Sequence, residues 1–384
     1  MIRLGPFRCF SVIRNSAIFS ALFAFCLAIL PAQAQFSLTE VSSDTFASNV
    51  PGQHATEVEP DAYGWGNTFV SAFQVARIVD GGGADVGFAT STDGGKTWSH
   101  GLLPGLTVNY KAGTFSAASD PAVIYDAAHG VWMICTLPIG NNDLVAVSRS
   151  KDGITWSSPV LVTSSINSDK NWITCDNTST SPYYGHCYVE WDSPAVGDLV
   201  YMSTSTDAGA TWGTPKNTQD TLYGIGGQPV VQANGTVVVP IFSFNSYGMG
   251  AFSSTNGGAS WNASVNIAAV NQHSEAGGLR SPGLPTAAVD GAGNVYVVWS
   301  DCSFRPGCNA NDLVISTSSN GTTWTSPARI PLVPKTGNVD LFIPGLGIDP
   351  KTSGNSAHLA LTTYAYSDTN CNVSTCRLFV GFTT

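Results

Sequence analysis

Charged side chains make up only 11% of this chain, against about 25% in an ordinary globular domain, so the few that could do chemistry are easy to single out. Asp120, Asp169 and Glu275 are the candidate acid–base groups, because a carboxyl that gives a proton and a carboxylate that takes one are what hydrolysis of a stable bond needs. Lys170 follows Asp169 directly, and Glu275 stands five residues before Arg280. Arg280, Arg77, Arg305, Lys170 and Gln228 are the candidate ligand-holding residues, a guanidinium fork being suited to a carboxylate. Each has a structural alternative. Asp169-Lys170-Asn171-Trp172 also reads as a surface ion pair above a packed indole, and Arg280 as an ion pair between structural units. Converging carboxylates can also bind Ca²⁺, but no spaced Asp motif of the EF-hand kind is present. Gly81-Gly82-Gly83 lacks the Lys-Ser/Thr of a phosphate loop, and there is no Gly-x-Ser-x-Gly elbow. No cofactor and no metal are expected.

The elements that must position these groups are legible as repeats. Ser91-Thr92-Asp93-Gly94-Gly95-Lys96-Thr97-Trp98 returns as Ser150 to Trp156, Ser205 to Trp212, Ser254 to Trp261 and Ser318 to Trp324. The tryptophans are 58, 56, 49 and 63 residues apart. A second marker keeps step with it. Pro121 precedes Asp126, Pro229 precedes Asn234, Pro285 precedes Asp290 and Pro344 precedes Asp349, each by five residues; Asn171 stands in the proline place before Asp176, and Pro60 opens a related segment. Apolar or alternating runs follow each turn. A unit therefore reads as strand a, an Asp/Asn-Gly turn, strand b, a variable loop, strand c, the Asp/Gly/Trp turn and strand d. The 21 Asp against 5 Glu, and 40 Gly with 21 Pro, fit strands and tight turns better than helices. Units of this length are propeller blades. Six strand-a segments predict an all-β, six-bladed β-propeller of four-stranded antiparallel blades, with Phe36–Ser43 as the missing outer strand.

The Asp/Gly/Trp turn resembles the Asp box of the sialidase-like, BNR-repeat six-bladed propellers over roughly residues 55–384. Strand direction puts all five such turns on one face, so Asp93, Asp152, Asp207, Asn256 and Asn320 are expected to be scaffold. Any site belongs to the other face, where the b–c and d–a loops lie and where the strand-a starts bring Glu59, Asp61, Asp120, Asp169, Lys170, Gln228, Glu275 and Arg280. The resemblance implies glycan chemistry: three arginines on a substrate carboxylate, a Tyr–Glu nucleophile and an Asp acid/base. Arg77, Arg280, Arg305 and Arg377 face that way, and Asp120 or Asp169 is the acid. The family's Phe/Tyr-Arg-Ile-Pro signature is absent; Ala76-Arg77-Ile78-Val79 comes nearest, after a strand instead of opening one. Two functions fit: a glycoside hydrolase acting on extracellular glycans through that face, or a non-catalytic propeller that binds glycan or protein there.

Residues 1–34 read as a secretory signal peptide cleaved after Ala34, with Arg3, Arg8 and Arg14 before an apolar run. The remaining 35–384 form one domain with 13 basic and 26 acidic residues, a formal charge of −13. That balance excludes a nucleic-acid partner, and a secreted or periplasmic monomer free of the membrane is expected. In an oxidising compartment three close pairs are expected to be disulfides, namely Cys175 with Cys187, Cys302 with Cys308, and Cys371 with Cys376, leaving Cys135 free and buried. The second and third pairs stand in b–c loops, where a staple either walls a pocket or simply stabilises.

Overall fold

The structure is a computed structural model that describes residues 38–384 except Asp80, Ser165 and Pro282. The expected signal peptide lies outside the described residues. Among those described there is no α-helix, and none long and apolar enough to cross a membrane. The chain folds into antiparallel meanders. In the first, β1 (Gln53–Trp65), β2 (Thr68–Arg77), β3 (Gly83–Ser91) and β4 (Ser99–Leu102) pair in order. β5 (Ala117–Asp126), β6 (Val131–Ile139), β7 (Ala146–Ser150) and β8 (Val160–Leu161) repeat the plan, and one register pair, Gly83 with Ala118, joins both meanders into an eight-stranded sheet. A three-stranded sheet follows from β9 (Asp169–Cys175), β10 (Cys187–Ser193) and β11 (Leu199–Ser205). Next, β12 (Gly224–Ile225) and β13 (Val230–Val231) both pair with β14 (Val237–Ser243), which leads to β15 (Gly248–Ser254) and β16 (Val265–Ala269). The last two sheets are β17 (Thr286–Val289), β18 (Val295–Asp301), β19 (Asp312–Ser318), β20 (Ala328–Arg329), then β21 (Asp340–Ile348), β22 (Leu359–Tyr366), β23 (Leu378–Thr383).

Both repeat markers work through short-range bonds. In the Asp/Gly/Trp turns the serine Oγ accepts the N–H of Gly95, Gly153, Gly209, Gly258 or Gly321 at 2.8–3.0 Å. Asp or Asn Oδ1 accepts the N–H of Thr97, Thr155, Thr211, Ser260 or Thr323 at 2.7–3.0 Å. The shortened copies keep the same bonds. In the other marker Asp126, Asp176, Asn234, Asp290 and Asp349 each take the N–H two residues on at 2.9–3.0 Å, closing the first hairpin of the meander. Because the turn supplies its own donors and acceptors, it needs no help from the rest of the fold.

The core lies in slabs between successive meanders. Trp156 packs with Val70, Val86 and Phe88 of the meander before its own, and Trp261 with Tyr188, Val200 and Met202 of its predecessor. Trp98 is only half-buried, beside Phe73, Val75, Val41 and Phe46. The expected strand over 36–43 does not form in its described part: residues 38–43 carry no strand. Val41 and Phe46 instead pack on Phe73, Val75 and Ala89 of the first meander, beside Trp98.

All three disulfides form as expected, and Cys135 is free and buried. Cys175 and Cys187 sit directly opposite each other on β9 and β10, pinning a hairpin. Cys302 and Cys308 close the loop between β18 and β19, and Cys371 and Cys376 the loop between β22 and β23. The Cys302–Cys308 loop is not plain coil: Pro306–Cys308 forms a single 3₁₀ turn, and Cys308 itself is half-buried with φ of +54°. A crosslink over only six residues turns the chain back on itself, and two successive left-handed residues, Gly307 at φ +64° and Cys308, make the reversal.

Candidate active site

The first strands of successive meanders lie side by side, and four of them are broken at the same place. Register breaks fall at Glu59-Pro60, Asp120-Pro121, opposite Lys170-Asn171, and at Ile343-Pro344. Glu59, Asp120, Lys170 and Ile343 there have φ of +54°, +47°, +34° and +49°. Such left-handed, bulged residues are strained and re-aim their side chains away from the ladder. Proline reinforces the break, since it offers no N–H to the ladder. The sequence marker Xaa-Pro thus brings Glu59, Asp120 and Lys170 into one group.

Their contacts define a polar cluster. Lys170 Nζ lies 3.1 Å from Asp120 Oδ2, and Ser119 Oγ donates to Asp120 Oδ1. Gln74, fully buried, donates through Nε2 to Glu59 Oε2 at 2.5 Å and to Ser119 Oγ at 2.8 Å. The Glu59 and Asp120 carboxyls are themselves in hydrogen-bonding contact. Partial burial and the Asp120 charge push Glu59 up, against the opposing pull of Lys170 and Arg77. Burial also works against ionised Asp120, but the Lys170 ammonium and the Ser119 hydroxyl outweigh it and hold that carboxyl below its ordinary value. Lys170 loses by burial and gains more from Asp120, Glu59 and Asp169, so its ammonium is reinforced. The surroundings thus push the two carboxyls in opposite directions beside a fixed cation, Glu59 toward holding its proton and Asp120 toward losing it, which separates proton donor from proton acceptor.

Around this core sit further acids. Asp169 is raised by burial and by the Asp120 charge, with Arg280 pulling it down. Asp192, its register partner on β10, is fully buried and pushed up to about 8 by burial, then by Asp169 and Asp198. Glu190 is also fully buried and well above its ordinary value, from burial and then Asp192. It touches the Gly227 backbone, and no well-formed hydrogen bond satisfies either carboxyl. Asp61 is driven up to about 6 by burial although it accepts the Val123 N–H.

Not every candidate residue joins the group. Asp120, Asp169, Lys170 and the exposed Arg280 do. Arg77 stands near Glu59 but binds the Ile78 and Gly82 carbonyls through one guanidinium nitrogen. Gln228 Oε1 accepts the Ala287 N–H at 2.7 Å, linking two meanders. Glu275 lies in a separate network: Asn311 Nδ2 reaches its Oε1 at 3.0 Å and also the His273 carbonyl, while His273 Nδ1 is 2.9 Å from Asp340. Burial pushes Glu275 up to about 7. Arg305 is buried, and its donors are taken by Asp312 and the carbonyls of Pro334, Lys335, Gly337 and Val339. It builds a loop and has no donor left for a ligand, because a guanidinium has only five.

The stapled loops do not wall this cluster. Cys302 and Cys308 bracket Arg305: its N–H donates to the Cys302 carbonyl at 2.9 Å, and the Cys308 N–H donates to its own carbonyl at 3.1 Å. Cys308 is therefore structural, a clamp on the arginine that ties the β18–β19 loop to Asp312, and not a pocket residue. Cys376 lines a surface hollow with Gly277, Leu279 and Tyr366, and none of the clustered acids borders it.

Glu59, Asp61, Gln74 and Asp192 were recognisable on this face by strand direction but not as a group; Glu190 and Ser119 carried no signal beyond neighbouring strand residues. Among the described residues no set of three His, Cys, Asp or Glu is arranged to hold a metal ion.

No protein-family model matches the chain. A sialidase of Bacteroides fragilis is 32% identical over 110 residues, a stretch covering 23% of this chain and only 20% of that protein. The leech intramolecular trans-sialidase superposes with a TM-score of 0.55 at 13% identity, over 90% of this chain and 70% of that one. An α-L-arabinofuranosidase of Fusarium graminearum gives a TM-score of 0.50 at 13% identity, over 85% and 92% of the two chains. The order of antiparallel meanders described above, together with these superpositions, places the chain in the sialidase-like fold.

Proposed function

We propose that the protein is an exported glycoside hydrolase whose meanders are the six blades of a sialidase-like propeller, acting on extracellular glycans. The Gly83–Ala118 contact would then be a bridge between two blades, and the side-by-side first strands would line the centre. Three disulfides support an oxidising compartment.

The observation that carries the reading is the Glu59–Asp120 pair beside Lys170, with Glu59 raised by burial and by Asp120, and Asp120 lowered by Lys170. Glu59, which reaches solvent, gives its proton to the glycosidic oxygen. Asp120, kept ionised, serves the sugar carbon or the water that attacks it. A glycosidic oxygen entering between them replaces the hydrogen bond they now share, the two carboxyls parting to about 5–9.5 Å, the separation that the reaction uses. Gln74 and Ser119 orient the pair, and Asp169 with Arg280 meets sugar hydroxyls. Fluorogenic glycosides offered to the purified protein test this, with Glu59→Gln and Asp120→Asn as controls. Each substitution is expected to cut turnover by about 10²–10⁴-fold. If no glycoside is cleaved, the protein is a glycan- or protein-binding propeller instead; if cleavage survives both substitutions, the site lies elsewhere.

A further inference from the structure

Recognition of an acidic sugar requires guanidinium forks converging on one carboxylate. The arginines here are dispersed. Arg77 acts on Glu59 and is tied by one nitrogen to the Ile78 and Gly82 carbonyls. Arg305 acts on Asp340 and is consumed by Asp312 and loop carbonyls. Arg329 is likewise bound to Asp312 at 2.6 Å, and Arg377 to the Cys376 carbonyl at 3.2 Å. Arg149 flanks an Asp/Gly/Trp turn, and among the described arginines it is the exposed Arg280 that acts on Asp169. Lys170 is committed to Asp120 and lies over the Trp172 ring, 5.8 Å from its centre.

Six carboxyl groups gather around these cations: Glu59, Asp61, Asp120, Asp169, Glu190 and Asp192. Neighbouring carboxyls add to burial in raising Glu59, Asp169, Glu190 and Asp192, burial raises Asp61, and Asp120 is held low by Lys170. A seventh carboxylate would meet ionised Asp120 and no pair of free forks, and would stay charged only by forcing further protons onto the acids around it. Sugar hydroxyls have the opposite preference, because a carboxylate offers acceptor sites in several directions.

We propose that the sugar accepted by this site carries no carboxylate and is a neutral, hydroxyl-rich glycoside. The inference rests on the hydrolase reading above and narrows its substrate class; a shared fold does not transfer a carboxylate clamp.

The test compares kcat/KM for 4-methylumbelliferyl glycosides of neutral pyranoses and furanoses with those of a sialoside and a glucuronide. At least one neutral glycoside is expected to exceed both acidic ones by about 100-fold or more. Asp169→Asn should narrow that ratio, since it removes one of the repelling groups. A sialoside or glucuronide cleaved best would overturn this inference and leave the hydrolase intact. A ratio unmoved by Asp169→Asn would also overturn it, showing that charge does not set the choice. Release from none of the glycosides removes the hydrolase reading and this inference with it.

Discussion

Asp61 Oδ2 accepts a 2.7 Å hydrogen bond from the backbone N–H of Val123, 62 residues on and in the next meander. The same relation recurs where Thr286 Oγ1 accepts the Leu346 N–H at 3.1 Å. In both cases the acceptor follows the marker proline by one residue and the donor follows the next marker proline by two. Gln228, just before its proline, does the same service for Ala287. First strands have a free edge, and an unpaired buried N–H is costly. Side chains of the preceding meander close that edge.

Removing one such acceptor should be felt in stability. Asp61→Ala leaves the Val123 N–H without its partner and is expected to cost about 1–3 kcal/mol. Asp61→Asn keeps an acceptor oxygen and should cost markedly less. Urea unfolding of both variants checks the difference; equal losses would mean that the hydrogen bond is not what matters.

The pH dependence of stability follows from buried acids inside and outside the polar cluster. Asp61 at about 6, Glu275 at about 7, and Asp85 and Asp192 at about 8 are all raised by burial. A carboxyl whose folded value lies above its unfolded one stabilises the fold fully below the unfolded value, near about 4, and loses that contribution as pH rises through the folded value. Asp152, lowered to about 2 by the Thr155 N–H and its other turn bonds, acts in the opposite sense only in strong acid. The melting temperature is therefore expected to be higher at about pH 5 than at about pH 8.5. Scanning calorimetry across that range would show the reverse order if burial did not dominate.

Lys170 sets the acid–base division of Glu59 and Asp120, so its charge should be visible in the rate profile. Lys170→Met removes the cation that lowers Asp120 and restrains Glu59. Both carboxyls rise, and both limbs of the pH–kcat/KM profile should move to higher pH. A lower plateau with unmoved limbs would point to a positional role alone.

The turn tryptophans should matter to the scaffold and not to the chemistry. Trp261 is 1% exposed and packed by Tyr188 and Phe252, so Trp261→Ala is expected to cost about 3–5 kcal/mol. Trp98, half-buried, should cost less. Turnover at a temperature where each variant remains folded should stay near the unsubstituted value.

The parts of the fold that could be read in advance are those built from bonds within a few residues. Asp93, Asp152 and Asp207 bond within their own turns, so type and spacing suffice to recognise them. Asp120 and Lys170 were legible because they stand next to the marker proline or its asparagine substitute. Pairing of Cys302 with Cys308 was legible from proximity, but the service it performs was not, since that depends on what Arg305 binds. Arg305 itself reaches Asp312 and carbonyls about thirty residues away. Glu275 falls outside the cluster for the same reason: Asn311, with no marker around it, captures its loop. The segment before Ser43 looked like a strand by alternation alone, and alternation does not say which edge, if any, will receive it.

Besides the Gly83–Ala118 pair, isolated backbone contacts such as Thr218 with Trp261, Gly291 with Thr352 and Leu341 with Asn311 join neighbouring meanders, while between first strands the crossing bonds described run through side chains. A side-chain hinge tolerates small rotations that a backbone ladder would resist. The seam between Glu59 and Asp120 is the one that the Gly83–Ala118 pair also crosses, so the two carboxyls part around a guest by turning their own side chains while the strands that carry them stay pinned.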